Sequence, residues 1–458
     1  MDNSIFKNYD VRGIYPIQLD VEAASKIAQT FLMILKEETG KEIKDLHIIV
    51  GRDIRESSLP LMRAVMDIFM KYGVQIDDMG LVSINDLYFA NGYYKYDGGI
   101  VATASHNPPQ YGGFKLTTLS PDKKAIKFIS GKMILEKMNK LQLPLDEPEM
   151  QGSTQNKDVS LDHLNHILSF IKADRIKKFK VVVDTGNGMM GLLMNKLFER
   201  MPCNLIPLFT TLDNTFPNRA PNPLDKGAHD KLSSEVLRQH ADFGFIYDVD
   251  GDRMFMVDEK GQFIRGDMIL LLLAKAMLRE NPGAGIAYNL ICSHAVPELI
   301  SKWGGKAIRS EVGYRFLAQH MLEGDGIMSG EVSAHFAFRD NYYADSGFAA
   351  LVLVLKALSE DNRPLSEIIK EFTLYYRADE INLKVKDINK ELDKIRDKYK
   401  NNIRDEIDGI TVEFDDWWFN VRPSNTEPLL RITVEANDQA SASKYQQELS
   451  SLIDSIDN

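Results

Sequence analysis

The feature that most constrains the fold is the alternation of short apolar runs with amphipathic stretches along the 458-residue chain. Strand-like runs cover residues 46–50, 99–102, 180–183, 243–247, 254–257 and 285–290, and helical patterns begin at about residue 191 and cover residues 296–303. Strands and helices that alternate in this way are typical of α/β layers on parallel or mixed sheets. In such sheets, functional residues lie beyond the carboxyl ends of strands, so the polar segments that follow these runs are the candidate sites.

The chain length fits three or four domains. Polar or turn-rich stretches at residues 149–157, near residue 261 and from residue 361 onward are candidate boundaries. After about residue 375 the pattern becomes strand-like at 381–385, 410–414 and 430–434, and helical at 389–401 and 440–453. We therefore predict α/β domains over residues 1–152, 153–260 and 261–372, and a smaller α+β domain over residues 373–458.

Composition excludes several classes of protein. The net charge of −11 argues against a general nucleic-acid binder, although a local basic cluster could still bind a small phosphorylated substrate. Only two cysteines are present, as expected for a reducing compartment. The N-terminal residues lack the pattern of a signal peptide, and the longest apolar stretch, residues 268–277, is too short to span a bilayer and predicts a buried helix. A cytoplasmic location without membrane contact is expected.

Three aspartates alternate with other residues directly after one strand-like run. They are Asp248, Asp250 and Asp252, and Gly251 allows the backbone to curl so that their carboxylates converge. Carboxylates that lie this close repel one another and need a cation. An all-oxygen set of ligands favours Mg²⁺ over Zn²⁺ and leaves coordination positions open for a phosphate oxygen.

Three other interpretations of the acidic loop compete. A polar turn between two strands is common and needs no ligand. An EF-hand is disfavoured because Arg253 stands at the sixth position, where glycine is required, although Glu259 falls at the twelfth. A phosphatase of the haloacid dehalogenase kind would use Asp248 as nucleophile, but its usual signature has threonine or valine where Asp252 stands. Arg253 fits better as a cation near a transferring phosphate.

An exposed, stiff turn that contains a serine follows another strand-like run. Pro108 and Pro109 fix the backbone φ, and His106 places a group that titrates near neutral pH beside Ser105. Lys115 can return to the same place through a short glycine-rich loop. No Gly-x-Ser-x-Gly pattern surrounds the serine, which argues against a serine hydrolase. A serine that only caps a turn is the alternative, because a lone hydroxyl is a poor nucleophile without a nearby metal site.

Two further polar segments lie later in the chain. Glu331, Ser333 and His335 alternate, so an extended backbone would place them on one face, where they could bind sugar hydroxyls. The loop at residues 422–426 is rich in hydrogen-bond donors, and Arg422 could bind a phosphate bidentately. In isolation, a solvent-facing strand edge and a simple turn explain these two segments equally well.

Five segments in this order resemble the alpha-D-phosphohexomutase superfamily, in its phosphomannomutase/phosphoglucomutase branch. They are FKNYDVRG at 6–13, TASHNPP at 103–109, DVDGDR at 248–253, GEVSAH at 330–335 and RPSNTEP at 422–428. The resemblance implies three mixed-sheet α/β domains of the phosphohexomutase type plus a smaller C-terminal α+β domain, around a central cleft. It also implies interconversion of hexose 1-phosphate and hexose 6-phosphate through a phosphoserine and a hexose 1,6-bisphosphate intermediate, with Mg²⁺ as cofactor.

The resemblance also implies a role for each matching residue. The phosphoserine would be Ser105, which would also contact the metal held by Asp248, Asp250 and Asp252. The other implied catalytic residues are His106, Lys115, Arg253 and Arg12. The implied substrate-binding residues are Tyr9, Glu331, Ser333, His335, Arg422, Ser424, Asn425 and Thr426. Partners would be small sugar phosphates, with no nucleic acid and no membrane, and the chain would be a monomer or weak dimer.

Three positions depart from the pattern of this branch. Gly112 stands where asparagine is usual, which puts the stiffness of the serine loop in doubt. Ile291 stands where a basic residue is common, and Tyr314 stands where histidine is common. The last two departures bear on the choice of sugar more than on the chemistry, and His294 and Arg309 are the candidates to compensate for them. A phosphatase and a non-catalytic sugar-phosphate binder are therefore kept as alternatives, and an amino-sugar mutase ranks third among the substrate classes.

Overall fold

The structure, a computed structural model, describes residues 1–144, 151–424, 429–453 and 455. The strands of its first sheet are β1 (Val11–Ile14), β2 (His47–Arg52), β3 (Gln75–Leu81), β4 (Gly98–Ala102), β5 (Tyr111–Leu119), β6 (Ile126–Ile129) and β7 (Ser153–Asn156). Their order is β1-β5-β4-β2-β3-β7, with β6 also paired to β5. Pairs within β4-β2-β3-β7 are parallel, whereas every strand that pairs with β5 is antiparallel to it. The sheet is therefore mixed.

Four helices pack with this sheet: α1 (Val21–Thr39), α2 (Ser58–Lys71), α3 (Ile84–Tyr94) and α4 (Gly131–Met138). The first helix begins at Asp20, whose side chain accepts a hydrogen bond from the Ala23 backbone N–H, and it ends at Gly40 in the left-handed conformation, with φ +69°. Buried Ile27, Phe31 and Leu35 recur every four residues in α1, so one stripe of the helix faces the core.

The second sheet has the order β12-β11-β10-β8-β9. Its strands are β8 (Lys180–Asp184), β9 (Asn204–Leu208), β10 (Phe243–Tyr247), β11 (Met254–Val257) and β12 (Phe263–Ile264), and the helices of this region are α5 (Ser160–Ser169), α6 (Gly191–Phe198) and α7 (Asp230–Gln239). The strands β10, β8 and β9 are parallel, and β11 and β12 are antiparallel to their neighbours. The acidic loop is therefore the turn of the β10–β11 hairpin.

The third sheet has the order β14-β13-β15-β16-β17. Its strands are β13 (Gly285–Asn289), β14 (Lys306–Ser310), β15 (Gly326–Gly330), β16 (Phe336–Phe338) and β17 (Ala344–Asp345). Five helices accompany it: α8 (Gly266–Glu280), α9 (Ala295–Lys302), α10 (Tyr314–Glu323), α11 (Gly347–Ser359) and α12 (Leu365–Phe372). Apolar side chains of the second and third sheets and their helices form one continuous hydrophobic cluster, whereas the first and fourth sheets have their own.

The fourth sheet is antiparallel throughout and has the order β18-β23-β22-β21-β20, with β19 also paired to β23. Its strands are β18 (Tyr376–Arg377), β19 (Ile381–Lys384), β20 (Ile403–Asp405), β21 (Ile410–Glu413), β22 (Trp417–Pro423) and β23 (Leu429–Ala436), and its helices are α13 (Ile388–Tyr399) and α14 (Gln439–Leu452). Three mixed-sheet α/β units followed by a smaller α+β unit confirm the predicted fold class.

The predicted domain boundaries at residues 152, 260 and 372 stay predictions. One strand bears on the first of them, because β7 joins the edge of the first sheet by pairing with β3, so that this sheet extends past residue 152. The predicted buried helix at residues 268–277 lies within α8. Among the described residues, no helix is both long enough and apolar enough to cross a membrane.

Candidate active site

The structure brings the serine loop and the acidic loop into direct contact. Ser105 follows β4, and its hydroxyl donates a hydrogen bond to Asp248 Oδ2 at 3.1 Å across 143 residues of sequence. The tip of the loop at Pro108 and Pro109 is exposed as predicted, but the expectation that Ser105 itself is exposed is wrong, since it is 1% exposed. It is buried because the acidic loop covers it.

The backbone at Ser105 is in the left-handed region, with φ +48°. A residue other than glycine adopts this conformation rarely, and such strain is concentrated at functional sites. The Ser105 backbone N–H donates to Thr103 Oγ1 at 3.0 Å, and the Ser105 Oγ lies 3.1 Å from His106 Nδ1. Burial and the nearby arginines Arg253 and Arg12 hold the His106 pKa well below its usual value, so a neutral imidazole faces the hydroxyl near pH 7.

The acidic loop gathers its three carboxylates at one point. Asp248, Asp250 and Asp252 are all buried, and one ligand atom from each lies within 4.8 Å of the others. Gly251 turns the loop with φ +82°, and Asp248 Oδ1 accepts from the Gly251 and Arg253 backbone N–H groups at 3.1 and 3.2 Å. These bonds fix the Asp248 carboxylate within the loop.

The charge balance of this loop fits a cation. Burial, together with the carboxylates of Asp252 and Asp250, raises the Asp248 pKa to about 8. The Lys115 ammonium lies 2.8 Å from Asp250 Oδ2 and also pairs with Asp252. Among the described residues, the buried Asp250 Oδ1 has no hydrogen-bond partner. The site thus offers three buried carboxylates, and Asp250 Oδ1 is free of hydrogen bonds among the described residues. Mg²⁺ is a hard cation that prefers such oxygen ligands.

Lys115 reaches the site from a strand, not from a glycine-rich loop as predicted. It lies in β5 opposite Val101 of β4, and its side chain is 4% exposed. The preceding glycines belong to the same strand, where Gly113 pairs with Arg12 and Gly112 with Gly13 of β1. The prediction was wrong because glycine in a strand indicates close approach of neighbouring groups as often as it indicates a turn.

Glu331, Ser333 and His335 converge through a turn. The shared face was expected only for an extended backbone, and Ala334 has φ +63°, so the three side chains meet around one point instead of lining a strand. Glu331 Oε1 lies 2.7 Å from His335 Nδ1 and also accepts from the Ser333 hydroxyl. The Asn289 side-chain amide donates a hydrogen bond to the other carboxylate oxygen, Glu331 Oε2, at 3.0 Å.

This segment adjoins the acidic loop. The Met254 backbone N–H donates to the Ala334 carbonyl at 3.0 Å, and His335 Nε2 lies 3.4 Å from both Asp252 Oδ1 and Arg253 Nε. Burial would lower the His335 pKa, but the carboxylates of Asp252 and Glu331 outweigh it and raise the pKa to about 10. The acidic loop and the predicted sugar-binding segment are therefore one connected cluster.

Tyr9 and Arg12 of the first domain also face this cluster. Arg12 donates to Asp10 Oδ2 at 2.8 and 2.6 Å and to Asn107 Oδ1 of the serine loop at 2.7 Å. Tyr9 donates to the Val312 carbonyl at 2.7 Å, which ties the first domain to the third. These contacts place Arg12 beside the serine loop and Tyr9 against the third domain, and their roles in the active site stay predictions.

The predicted phosphate loop is described only in part. The Arg422 Nη2 donates to Glu380 Oε2 at 2.7 Å, whereas its Nη1 is buried and has no hydrogen-bond partner among the described residues. The Ser424 backbone N–H donates to the Leu429 carbonyl at 2.8 Å. Asn425 and Thr426 lie outside the described residues.

Comparison with known proteins identifies the family. Four sequence models of the phosphoglucomutase/phosphomannomutase family match this chain: alpha/beta/alpha domain I at residues 3–132, domain II at 158–261, domain III at 265–375 and the C-terminal domain at 380–452. The chain belongs to this family. It is therefore an intramolecular phosphotransferase of the phosphohexomutase type, and the family resemblance seen in the sequence is confirmed.

The similarity covers whole chains. A phosphomannomutase of Methanocaldococcus jannaschii is 35% identical over 100% of this chain and 99% of its own length. A phosphomannomutase of Vibrio cholerae is 36% identical over 99% of this chain and 98% of its own. The crystal structure of a phosphoglucomutase/phosphomannomutase family protein of Burkholderia thailandensis has a TM-score of 0.87 and 30% identity, and the match covers 99% of this chain and 97% of that one.

The structure explains one departure from the family pattern. A Cβ added at Gly112 would lie 2.8 Å from Leu61 Cδ1 and 2.9 Å from Ser57 Oγ, so α2 fills the space that a larger side chain would need. Tyr314 begins α10, is buried, and packs on Tyr9 and His335 with ring centroids 5.6 and 5.5 Å apart. It therefore forms part of the wall beside the cluster.

Ile291, and the residues Arg309 and His294 that were suggested to compensate for it, each make contacts of their own in this phosphohexomutase. Ile291 is buried, and its carbonyl accepts from Arg377. Arg309 pairs with Asp405 of the C-terminal domain. His294 stacks on Trp418 with ring centroids 4.6 Å apart, and burial lowers its pKa to about 4. The idea that His294 or Arg309 compensates for the missing basic residue stays a prediction.

Three buried residues of the site gave little signal in the sequence. The Asn85 amide donates to the Gly251 carbonyl at 2.9 Å and accepts from the Gly347 backbone N–H at 2.8 Å. Asn289 orients Glu331 as described. Asp345 ends β17 near His335, and burial raises its pKa to about 7. Only Asn289 could have been found, because it stands at the carboxyl end of a predicted strand.

Proposed function

We propose that this chain is a Mg²⁺-dependent phosphomannomutase/phosphoglucomutase that acts through a phosphoserine at Ser105 and a hexose 1,6-bisphosphate intermediate. The observation that carries the proposal is the contact between the Ser105 hydroxyl and Asp248 Oδ2 at 3.1 Å. It joins a strained nucleophile loop to a buried carboxylate triad. The names of the relatives support mannose phosphates as substrates, and the family supports glucose phosphates as well.

The reaction starts from phosphorylated Ser105. The bond between phosphorus and Ser105 Oγ breaks, and a bond forms between phosphorus and the 6-hydroxyl oxygen of a hexose 1-phosphate. The hydroxyl proton passes through the neutral imidazole of His106, whose Nδ1 lies 3.1 Å from Ser105 Oγ, to the departing Ser105 oxygen, which becomes a hydroxyl again. Lys115 and His335 stay protonated, because the neighbouring carboxylates raise the pKa of each, and they add positive charge to the cluster. The product of this half-reaction is hexose 1,6-bisphosphate.

The triad would hold the metal. When bound by Asp248, Asp250 and Asp252, Mg²⁺ would supply positive charge at the transferring phosphoryl group. Arg253 lies in the same loop and adds a fixed positive charge to the cluster. Lys115 adds a second positive charge from β5. Catalysis of phosphoryl transfer depends mainly on such positioning and charge.

The second half-reaction requires the bisphosphate intermediate to rotate in the cleft, so that its other phosphate faces Ser105. After reorientation, the bond between phosphorus and sugar oxygen 1 breaks, and a bond forms between phosphorus and Ser105 Oγ. The proton of the Ser105 hydroxyl passes to sugar oxygen 1, and the product is hexose 6-phosphate. The phosphate that is not transferred would be held by Arg422 and Ser424, with Asn425 and Thr426 beside them. The buried Arg422 Nη1, which has no hydrogen-bond partner among the described residues, supports this role, because a phosphate oxygen could accept from it.

Glu331 and Ser333 would hold the sugar ring through its 3- and 4-hydroxyls. Those hydroxyls are identical in mannose and glucose phosphates, so recognition through them alone gives dual specificity. Asn289 and His335 fix the Glu331 carboxylate at 3.0 and 2.7 Å, so this carboxylate is held in place before the sugar binds. Amino-sugar phosphates rank behind both hexoses.

Phosphorus NMR of the purified protein tests this function. Glucose 1-phosphate and mannose 1-phosphate are supplied in separate tubes with Mg²⁺ and a trace of glucose 1,6-bisphosphate. We expect the 6-phosphate to appear in both tubes, and the two rates rank the sugars. The Ser105→Ala variant should lose turnover entirely, whereas Ser234→Ala, an exposed change on α7, should not.

Other outcomes would contradict the proposal. Inorganic phosphate without any 6-phosphate would indicate a phosphatase. Ligand binding without any reaction would indicate a sugar-phosphate binder. Isomer formation by Ser105→Ala would exclude the phosphoserine mechanism.

A further inference from the structure

A buried arginine lies beneath the serine loop. Arg55 follows β2 and is 1% exposed, which makes it one of the largest fully buried side chains among the described residues. Its Nε lies 3.2 Å from Asp53 Oδ2, and Asp53 is itself completely buried. The Nε makes this ion pair without a hydrogen bond to any described residue, so the two terminal nitrogens carry the hydrogen bonds of the buried guanidinium.

The remaining donors of Arg55 all point at the backbone of the serine loop. Nη2 donates to the Ser105 and Asn107 carbonyls, each at 2.6 Å, and Nη1 donates to the Pro108 carbonyl at 2.7 Å. One planar guanidinium therefore holds three carbonyls within four residues. A lysine could not do so, since an ammonium lacks the fixed fork of donors.

These bonds stabilise a strained conformation. Ser105 has φ +48°, and such a residue persists only where its surroundings fix it. The Ser105 carbonyl bonded to Arg55 belongs to the same residue whose hydroxyl contacts Asp248. Loss of the guanidinium would free the backbone from Ser105 to Pro108 without removing any group that touches the substrate.

An aromatic ring from the second domain closes over Arg55. The Phe216 ring centroid lies 5.2 Å from the Arg55 guanidinium carbon, within the range of a cation–π contact. Phe216 is 6% exposed, and three residues later Arg219 anchors the same segment. Arg219 Nε donates to Asp184 at 2.9 Å, and its Nη2 donates to the carbonyl of Tyr247, the residue before Asp248.

We propose that Arg55 is a positioning residue for Ser105, and that Phe216 couples it to the acidic loop. The inference rests on the proposed function in that it takes Ser105 as the residue that accepts the phosphoryl group. Arg55 fixes the serine loop, and Arg219 fixes the start of the acidic loop. The contact between Phe216 and Arg55 then fixes the position of one loop relative to the other.

The Arg55→Lys variant tests the proposal. It keeps the charge beside Asp53 but loses most of the carbonyl contacts. We expect kcat to fall about 100-fold, because small displacements of a nucleophile have effects of this size, while KM for the hexose phosphate changes less than about threefold. Arg63→Lys, on the exposed face of α2, is the matched control and should retain full kcat.

Hydrogen exchange provides a readout that does not depend on activity. Backbone amides of residues 103–111 should exchange at least about tenfold faster in Arg55→Lys than in the wild-type chain, whereas amides of α1 should not change. If the wild-type chain converts neither sugar phosphate, the proposed function fails, and the exchange result still decides whether Arg55 holds the loop. Unchanged exchange together with unchanged kcat in Arg55→Lys would overturn the proposal.

Phe216→Leu tests the coupling separately. The change keeps an apolar side chain but removes the aromatic face, so we expect kcat to fall about three- to tenfold, in line with a cation–π contact. Phe216→Tyr keeps the ring and should restore kcat to near the wild-type value. If both variants lose activity equally, or neither loses any, Phe216 does not act through Arg55, and the coupling part of the proposal is wrong.

Discussion

The residues of this site form buried pairs of opposite charge. Lys115 contacts Asp250 and Asp252, and His335 contacts Asp252 and Glu331. Burial would raise the Asp252 pKa, but the cations of Lys115 and His335 outweigh it and hold the pKa well below its usual value. Any change that removes one member therefore leaves a buried charge without its partner.

The first prediction concerns the metal site. Asp250→Asn removes one charged ligand but keeps the shape of the side chain, and we expect kcat to fall at least about 100-fold, because even the outer partners of metal ligands contribute 10- to 100-fold. The Mg²⁺ concentration for half-maximal rate should rise as well, as measured by titration after treatment with a chelator. The exposed change Asp397→Asn on α13 is the control, and equal Mg²⁺ dependence in both variants would contradict the assignment.

At the scale of single residues, the sequence indicated the side chains that meet at the candidate site and missed those that bond to its backbone. Ser105 and the three aspartates could be found because charge and sequence pattern mark them. Arg55 and Asn85 bond to carbonyls such as Ser105 O and Gly251 O, which any residue possesses. Nothing in the sequence says which carbonyl a distant side chain will meet.

Among secondary-structure elements, α3 and α5 join the first domain to the second. His163 Nδ1 of α5 lies 2.6 Å from Asp86 Oδ1 of α3, and both side chains are buried. Asp86 also closes a capping box with Ser83 at the start of α3. The His163 ring stacks on Phe89 with centroids 4.8 Å apart. One carboxylate therefore stabilises both a helix end and a contact between domains.

The second prediction follows from this carboxylate. Asp86→Asn should lower the free energy of unfolding at pH 7 by about 3 kcal/mol, as expected when one partner of a buried pair is removed. Burial would raise the Asp86 pKa, but His163 and Ser83 outweigh it, so the folded-state pKa is lower than in the unfolded chain. The stabilisation is therefore complete above the unfolded pKa of about 4 and is lost as pH falls through the lower folded pKa.

Urea unfolding of wild type and Asp86→Asn at several pH values provides the measurement. The difference in stability between the two should shrink as the pH falls below about 4. Asp67→Asn, on the exposed face of α2, should stay within about 0.5 kcal/mol of the wild type. A difference that grew as the pH fell would contradict the assignment.

Buried strands with uniformly apolar runs were predicted correctly. The predicted runs at 46–50, 99–102, 180–183, 243–247, 254–257 and 285–290 fall on β2, β4, β8, β10, β11 and β13, because strands that are buried on both faces are short and continuously apolar. Helix α11 was not predicted, since it is buried on nearly every side and shows no single apolar stripe. β5 was read as a glycine-rich loop because its glycines are required by β1 and α2 packing against it.

At the scale of the whole molecule, the C-terminal domain docks on the third domain through polar and aromatic contacts. Arg309 of β14 pairs with Asp405 of β20, and the Val312 backbone N–H donates to Asp408 at 3.2 Å. Val312 also accepts from Tyr9 of the first domain. A domain contact built from a few polar pairs can open and close easily. Such domain movement would be required for the bisphosphate intermediate to reorient in the cleft.

The third prediction concerns this contact. Arg309→Gln removes an ion pair worth about 1 kcal/mol, which shifts an equilibrium between docked and open domains by roughly fivefold. We therefore expect KM for hexose 1-phosphate to rise by about that factor and more bisphosphate to escape into solution, as seen by phosphorus NMR. Arg339→Gln, which breaks a pair within the third domain, is the control, and equal bisphosphate release by both variants would contradict the role of Arg309.

The order of the four domains could be predicted because five motifs occur in the order that the superfamily has. The contacts between domains could not, since Tyr9, Val312 and Asp408 lie in different parts of the chain and show no common pattern. The cytoplasmic location, the monomeric or weakly dimeric state and the domain boundaries stay predictions.

The most direct test of the central claim is to follow one phosphoryl group through Ser105. The dephosphorylated protein is incubated with Mg²⁺ and glucose 1,6-bisphosphate, and the peptide that contains Ser105 is analysed by mass spectrometry. We predict that Ser105 gains one phosphoryl group, and that addition of hexose 6-phosphate removes it with formation of bisphosphate. A chain that interconverts hexose phosphates while Ser105 is never phosphorylated would contradict the account.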